Sequence, residues 1–325
     1  MTTTVRPVIA TALEAAIRAP SPFNTQPWLF EVDGPHVAVR LDRRRVLTVA
    51  DPDAREARLA CGAALCNLRL GLRAQNSIGL MRVLPDPADI DLLATIRVAG
   101  ERKVSAAERQ LADAIARRHT NRHPFREHPV PPDARTPLAD AARTEGAELV
   151  FIDVSERYDT VVRLVREAER AMASSGKYQR EIRRWLGGPP GRRDGVPLAA
   201  AGPAPSSGRL LQLRTYYRPN PLPPRMFERQ PLLAAVTTSG STPRFDVLAG
   251  AGMQRALLAA CTLGLSASFL SQPFEIEATR RELAAEFRNH GEVHTLLRIG
   301  YGPPIGATPR RGVGEVTVPR MRVPR

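Results

Sequence analysis

Residues 243–263 constrain the fold most, because they read as a helix with apolar side chains on every side. Thr242 and Pro243 suit its N-cap and first position, and Gly264 suits the residue just past its end. A helix without a polar face has to be enclosed by other elements, so this one marks the centre of the molecule.

The remaining sequence supplies short enclosing elements. Residues 7–19 place Ile9, Leu13, Ala16 and Ile17 on one helical face, and Pro20 and Pro22 stop that helix. Residues 29–41 alternate as a strand pair turning at Asp33-Gly34. Asp51-Pro52-Asp53 opens the next helix, with Glu56 three residues after Asp53. Cys61, Leu65, Leu68 and Leu72 continue it at a 3.6-residue period. Strands are expected near 78–84 and 93–98. Ser105 and Glu108 form a capping box for a helix over 106–118, with Leu111 and Ile115 inward. After a Pro-rich turn (129–137) and a further helix, the pattern predicts a strand at 147–153 and a long helix at 156–173. A short helix then reaches Trp185. Strands at 232–238, 266–270 and 293–299 and a helix at 277–287 complete the set. Helices and strands alternate without a run of βαβ crossovers, which predicts an α+β fold.

Residues 187–208 break this rhythm. Eleven of these 22 positions are Gly or Pro. A long aperiodic segment inside a compact chain is expected to be a lid, and Trp185 with Arg192-Arg193-Asp194 gives it a means of docking.

Two further segments carry chemistry. One is Pro20-Ser21-Pro22-Phe23-Asn24-Thr25-Gln26-Pro27-Trp28, and the other is Arg117-Arg118-His119-Thr120-Asn121-Arg122-His123-Pro124-Phe125. Arg310-Arg311 lies near the end of the chain. Arginine forks with a neighbouring hydroxyl suit a phosphate dianion, and a loop of small, flat and amide residues suits the face of a ring. Taken singly, each segment is an ordinary helix cap, packing loop or basic tail.

Taken together, the two segments resemble the nitroreductase family of FMN-binding oxidoreductases. The resemblance implies that Arg118, His119, Thr120, Arg310 and Arg311 meet the FMN phosphate. Arg122 would lie by the pyrimidine edge of the flavin. Pro20, Ser21, Pro22 and Asn24 would face the isoalloxazine ring, Ser21 and Asn24 by hydrogen bonds, while Gln26, Pro27 and Trp28 fix the loop. No side chain is implied as catalytic, because flavin N5 carries the chemistry. Family members usually carry the basic segment first, and here the order is inverted. The inverted order, the mid-chain lid and the Pro-Arg-Arg tail resemble the Acg-like branch. That branch implies a nitroreductase-like internal pseudo-dimer of two related halves with one FMN. Residues 1–104 would supply the Pro-Trp loop and 105–325 the phosphate arginines, so that no partner subunit is needed. The implied activity is hydride transfer from NAD(P)H through FMN to a nitroaromatic, quinone or similar small acceptor. The alternative is FMN storage beneath a closed lid.

The net charge of +14 raises nucleic acid as a partner. The arginines are scattered, however, and aromatics are only 5%, so no stacking platform is expected. No apolar run approaches the roughly 20 residues of a membrane span. Three cysteines make a poor disulfide framework, which points to a reducing cytoplasmic compartment. His119, His123 and His128 lack partners at metal spacing, and no metal site is expected.

Overall fold

Two twenty-residue helices cross at the centre, α2 (Arg55–Ala74) and α7 (Pro243–Thr262). The computed structural model of the chain describes residues 6–153, 155–203, 214, 223–229 and 231–318. The crossing is made by two glycines. A Cβ on Gly62 would fall 2.1 Å from the Val247 carbonyl oxygen, and a Cβ on Gly250 would fall 1.9 Å from the Leu59 carbonyl oxygen. Each glycine therefore meets the residue three positions before the other. That reciprocity is the signature of a two-fold relation between like elements. Polar pins add register to the crossing. Gln254 Nε2 donates to Asn67 Oδ1 at 2.8 Å, and Arg58 Nε donates to Asp246 Oδ2 at 2.8 Å.

A sheet belongs to each half. β1 (Trp28–Asp33), β2 (His36–Leu41), β3 (Ser77–Val83) and β4 (Leu92–Glu101) form antiparallel pairs in the order β3-β4-β2-β1. The chain end returns to this sheet as β9 (Thr317–Val318), parallel to β1, after the short helix α10 (Val313–Val316). The second sheet has the order β5-β6-β8-β7, from Glu148–Ile152, Leu232–Thr238, Glu292–Gly300 and Ser266–Phe269 respectively, and all its pairs are antiparallel.

All seven residues of β6 are buried, and alternation splits them between two cores. Ala234 and Val236 join Met253 and Ala256 of α7 and Ala142 of α4 (Pro132–Arg143). Leu233 and Ala235 face Val161 and Val165 of α5 (Glu156–Ser174), with Leu283 of α9 (Glu277–Glu286). The first of these cores also takes in Ile9 and Leu13 of α1 (Pro7–Ala16) and Phe30 and Val39 of the first sheet. The apolar helix is thus enclosed, as its sequence requires. Among the described residues no helix is long and apolar enough to cross a membrane.

Several elements depart from their sequence pattern. Helix α2 starts at Arg55 behind Ala54, which is left-handed (φ 58°) and makes no side-chain cap. The Asp51 carboxylate accepts from Glu56 N and Ala57 N instead, so the cap comes from two residues further back than Asp53. Helix α4 begins at Pro132 and runs through Pro137, where a turn was expected. Thr242 stands at the N-cap of α7 without a side-chain bond. A four-residue helix, α8 (Gln272–Glu275), had no periodic signal.

The Ser105–Glu108 capping box is formed at α3 (Ala106–Arg117). The Arg73 guanidinium, ahead of burial and the Ser105 bonds, draws the Glu108 carboxyl down to about 2. A carboxyl with a depressed folded pKa stabilises above its unfolded value and loses that contribution as pH falls. Glu108→Gln is therefore expected to lower stability at neutral pH by about 1 kcal/mol. The gap between the two urea midpoints should narrow below about pH 4; a gap independent of pH would refute the ionic account.

Candidate active site

The Pro-Trp loop is held in an unusual backbone shape. Phe23, Asn24 and Gln26 all have positive φ, at 47°, 57° and 52°. Such strain persists only where surrounding bonds over-determine it. Ser21 Oγ accepts from Gln26 N at 2.9 Å. The Gln26 side chain, fully buried, donates to Arg193 O and accepts from Arg311 N, each at 2.9 Å. Asn24 Nδ2 donates to Gly195 O at 2.9 Å and to Pro309 O at 3.0 Å. The loop thereby ties the 187–203 segment to the returning chain end. Asn24, expected against a ring, spends its amide N–H groups on this tie, and its buried Oδ1 has no partner.

The basic segment follows the end of α3. Asn121 anchors it, with Nδ2 donating to Pro303 O at 2.8 Å and its backbone N donating to Ala267 O at 2.8 Å. Thr120 bridges to Ala267 beside β7. The two segments, so far apart in sequence, meet at one cavity. Its empty space is about 830 Å³ counting the open mouth. Pro20, Ser21, Pro22 and Phe23 line it from one side and Thr120 and Arg122 from the other. Leu59 and Ala60 of α2 and Met253 of α7 line it too, so the helix crossing bounds the cavity.

The lid segment reaches the same cavity. Ala201 and Pro203 line it. Arg122 Nη1 donates to Ala200 O at 3.3 Å, and a Cβ on Gly202 would fall 2.3 Å from Arg122 O. At its other end, Asp194 pairs with Arg45 and Arg192, whose guanidinium carbons lie 5.2 and 5.7 Å from the centre of the Trp185 ring. Residues 204–208 of the expected lid lie outside the described residues.

A cluster of cations adjoins Arg122, while Arg118, His119 and Arg310 themselves are not among the residues lining the cavity. Arg118 is 6% exposed, and its Nε has no partner. Burial, and then Arg122, pulls its guanidinium down to about 10, with Cys261 acting the other way. Burial, followed by Arg118, Arg18 and Arg122, pulls Arg310 down to about 9, and its buried Nε is also unpartnered. Burial and the same neighbours, Arg118, Arg310 and Arg18, hold His119 below the ordinary histidine range. No carboxylate figures among the charges acting on Arg118, Arg310 or His119. Like charges buried together without an anion are costly, so the arrangement calls for one from outside.

Arg311 stands apart from this group. Its Nη2 donates to Gln26 O at 2.6 Å and Trp28 O at 3.3 Å, and its charged neighbours are Arg45, Asp42, Asp194 and Glu315. Arg18, by contrast, joins the cluster without having been expected there. Its only sequence signal is its place at the end of α1, just before the Pro-Trp loop. Glu56 and Arg214 also line the cavity and were not expected. Arg214 donates to Ser271 Oγ at 2.9 Å, pairs with Glu275, and stacks 4.8 Å from the Phe23 ring. The acids Glu181, Asp194 and Glu275 are dispersed: Glu181 accepts from Val49 N and Ala50 N, while the other two pair with the arginines just named.

No family model matches the chain. Among curated proteins it is 31% identical over 323 residues to "Putative NAD(P)H nitroreductase acg" of Mycobacterium tuberculosis (strain ATCC 25618 / H37Rv), covering 95% of each chain. It is 32% identical over 317 residues to "Putative NAD(P)H nitroreductase Rv3131" of the same strain, covering 95% of this chain and 90% of the relative. Among solved structures, one described as a "putative nitroreductase" from Anabaena variabilis ATCC 29413 aligns with 93% of this chain and 75% of its own, at 12% identity and a TM-score of 0.47.

Proposed function

The chain belongs to the nitroreductase family, and on that premise we propose that it binds one FMN in the cavity under the 187–203 segment and uses it to pass electrons from NAD(P)H to a small acceptor. The observation that carries this reading is the meeting of the Pro-Trp loop and the basic segment at one cavity, beside buried cations that lack an anion. The unpartnered Nε atoms of Arg118 and Arg310 fit a phosphate dianion. Neutral His119 and the Thr120 hydroxyl add donors. Arg122 lines the cavity itself, where a positive charge would favour an anionic reduced flavin. Pro20, Ser21 and Pro22 offer a flat wall for the ring. Bound there, FMN supplies hydride acceptance and donation at N5.

The role of Asn24 in this reading is to hold the loop and lid together, and that of Arg311 is to hold the tail. Residues 1–104 contribute the Pro-Trp loop and 105–325 the arginines, so one chain completes the cavity. The second half has no further copy of the Pro-Ser-x-x-Asn-x-Gln-Pro-Trp pattern, which supports a single flavin. Three unpaired cysteines suit a reducing cytoplasm. Nitroaromatics and quinones are acceptors of the right size and apolarity for walls made by Phe23, Leu59, Met253 and Phe269.

Purified protein should carry FMN at a ratio near one per chain, and anaerobic NADPH or NADH should bleach the flavin absorbance. A ratio near two would sink the single site. Bound flavin that dithionite bleaches and neither nicotinamide does would favour storage over turnover.

A further inference from the structure

We propose that Glu56 is the acid that protonates the acceptor as it is reduced in this cavity, an inference that rests on the redox reading above. Glu56 lies in the first turn of α2 and lines the main cavity. Among the described residues lining that cavity it carries the one carboxyl group. It also lines a second, acidic pocket of about 870 Å³ that opens to solvent beside Asp51, Asp53 and Glu275. The side chain therefore stands in the wall between the site of reduction and a source of protons.

Its neighbours leave it unneutralised. Arg58, two residues further along the helix, is taken by Asp246. Arg55 pairs with Glu292, and Arg214 with Glu275. The Glu56 carboxyl itself makes no hydrogen bond among the described residues. Burial first, and then the charges of Glu275 and Asp51, push it well above the usual carboxylate range, while Arg214 and Arg55 act the other way. Burial likewise brings Asp51 up to about 7. The remaining charged or titratable groups of the acidic pocket are Asp53, Glu277, Arg280 and His294. A carboxyl kept neutral at pH 7 can donate a proton, as an ordinary glutamate cannot.

The balance of the step is simple. A quinone that receives a hydride gains two electrons and one proton and becomes a hydroquinone monoanion. The Glu56 O–H bond breaks, the proton moves to the anionic oxygen, and the carboxylate remains. A water proton from the acidic pocket restores the acid. The reductant is NAD(P)H, in keeping with the proposed activity.

The test uses the flavin-loaded protein reduced anaerobically and then mixed with either a benzoquinone or ferricyanide. Ferricyanide takes electrons singly and needs no proton. In Glu56→Gln the ratio of quinone rate to ferricyanide rate is expected to fall about 100-fold, within the range for loss of a general acid. Glu56→Asp should recover part of that loss. A ratio within twofold of the unmodified protein overturns the proposal. Infrared spectroscopy gives a readout independent of turnover. At neutral pH the unmodified protein, with or without flavin, should show protonated carboxylic C=O absorption from both Asp51 and Glu56, and Glu56→Gln should lose the Glu56 part while keeping that of Asp51. Undiminished absorption in the variant overturns the proposal. If the unmodified protein takes up no flavin, the redox reading fails, while the infrared comparison still decides the state of Glu56. Should Glu56→Gln not fold, the unmodified protein decides: its quinone-to-ferricyanide ratio must fall as rising pH removes the acid, and a flat profile overturns the assignment.

Discussion

Replacing Arg118 with alanine is expected to weaken FMN binding by about 30- to 1000-fold without destabilising the flavin-free protein. The first half follows from the loss of a charge-assisted, two-pronged contact to phosphate, which is worth about 2–4 kcal/mol in a desolvated site. The second half follows from the neighbours. Burial and Arg122 oppose the Arg118 charge, and that same charge opposes Arg310 and His119. Without an anion the cluster repels itself, so removing one member relieves the fold. Arg310→Ala should behave alike. Arg311→Ala should behave in the opposite way, because its guanidinium ties Gln26 O and Trp28 O to the chain end. That change should lower stability by about 1.5–3 kcal/mol even without flavin, the usual worth of a buried hydrogen bond to a charge. Fluorescence titration with FMN and urea unfolding of the flavin-free proteins separate the two behaviours. An Arg118 variant that copurifies with full flavin would overturn the phosphate assignment.

The contrast between Arg310 and Arg311 shows where sequence reading reaches its limit. Adjacent arginines in one motif look interchangeable, yet one lies among the cations around Arg118 and the other under the Pro-Trp loop. Asn24 presents the same difficulty. Its residue type suits a ring, but three left-handed residues within four positions turn its amide toward Gly195 and Pro309, partners far away in sequence. Long-range partners of this kind leave no periodic trace. What was legible rests on local physics: the 3.6-residue spacing of α2, the apolar surface all round α7, the Ser105–Glu108 box, the Asp33-Gly34 turn and Gly264 (φ 72°) at the end of α7. The first half of helix α4 was hidden because proline at its start is favourable and the core that covers Leu138 and Ala142 tolerates Pro137. The Asp51 cap was hidden because left-handed Ala54 displaces the start of α2. Glu56 read in the sequence only as part of a helix cap, since the acidic pocket exists only once α8 and the start of α2 come together.

Gly250→Ala is expected to destabilise the protein by about 3 kcal/mol or more, against its helix propensity. In an isolated helix this change favours folding by about 1 kcal/mol, so the sign itself is diagnostic. The reason for the reversal is the crossing of α2 and α7. The added methyl would lie 1.9 Å from the Leu59 carbonyl oxygen and 2.7 Å from the Leu59 carbonyl carbon. Both are backbone atoms, so no side chain can swing aside, and relief requires the two helices to part. Parting them loosens the Gln254–Asn67 and Arg58–Asp246 bonds and moves Leu59, Ala60 and Met253 at the cavity wall. FMN affinity should therefore fall with stability. Gly62→Ala should act similarly through Val247, because the contact is reciprocal. Gly314→Ala is the control: it lies in helix α10 with nothing within 4 Å of its added methyl, so it should be neutral or slightly stabilising. Urea midpoints compared at constant slope measure all three. An unchanged or raised midpoint for Gly250→Ala would show that the helices do not pack backbone to backbone, and the two-fold crossing on which both halves of the cavity rest would fall with it.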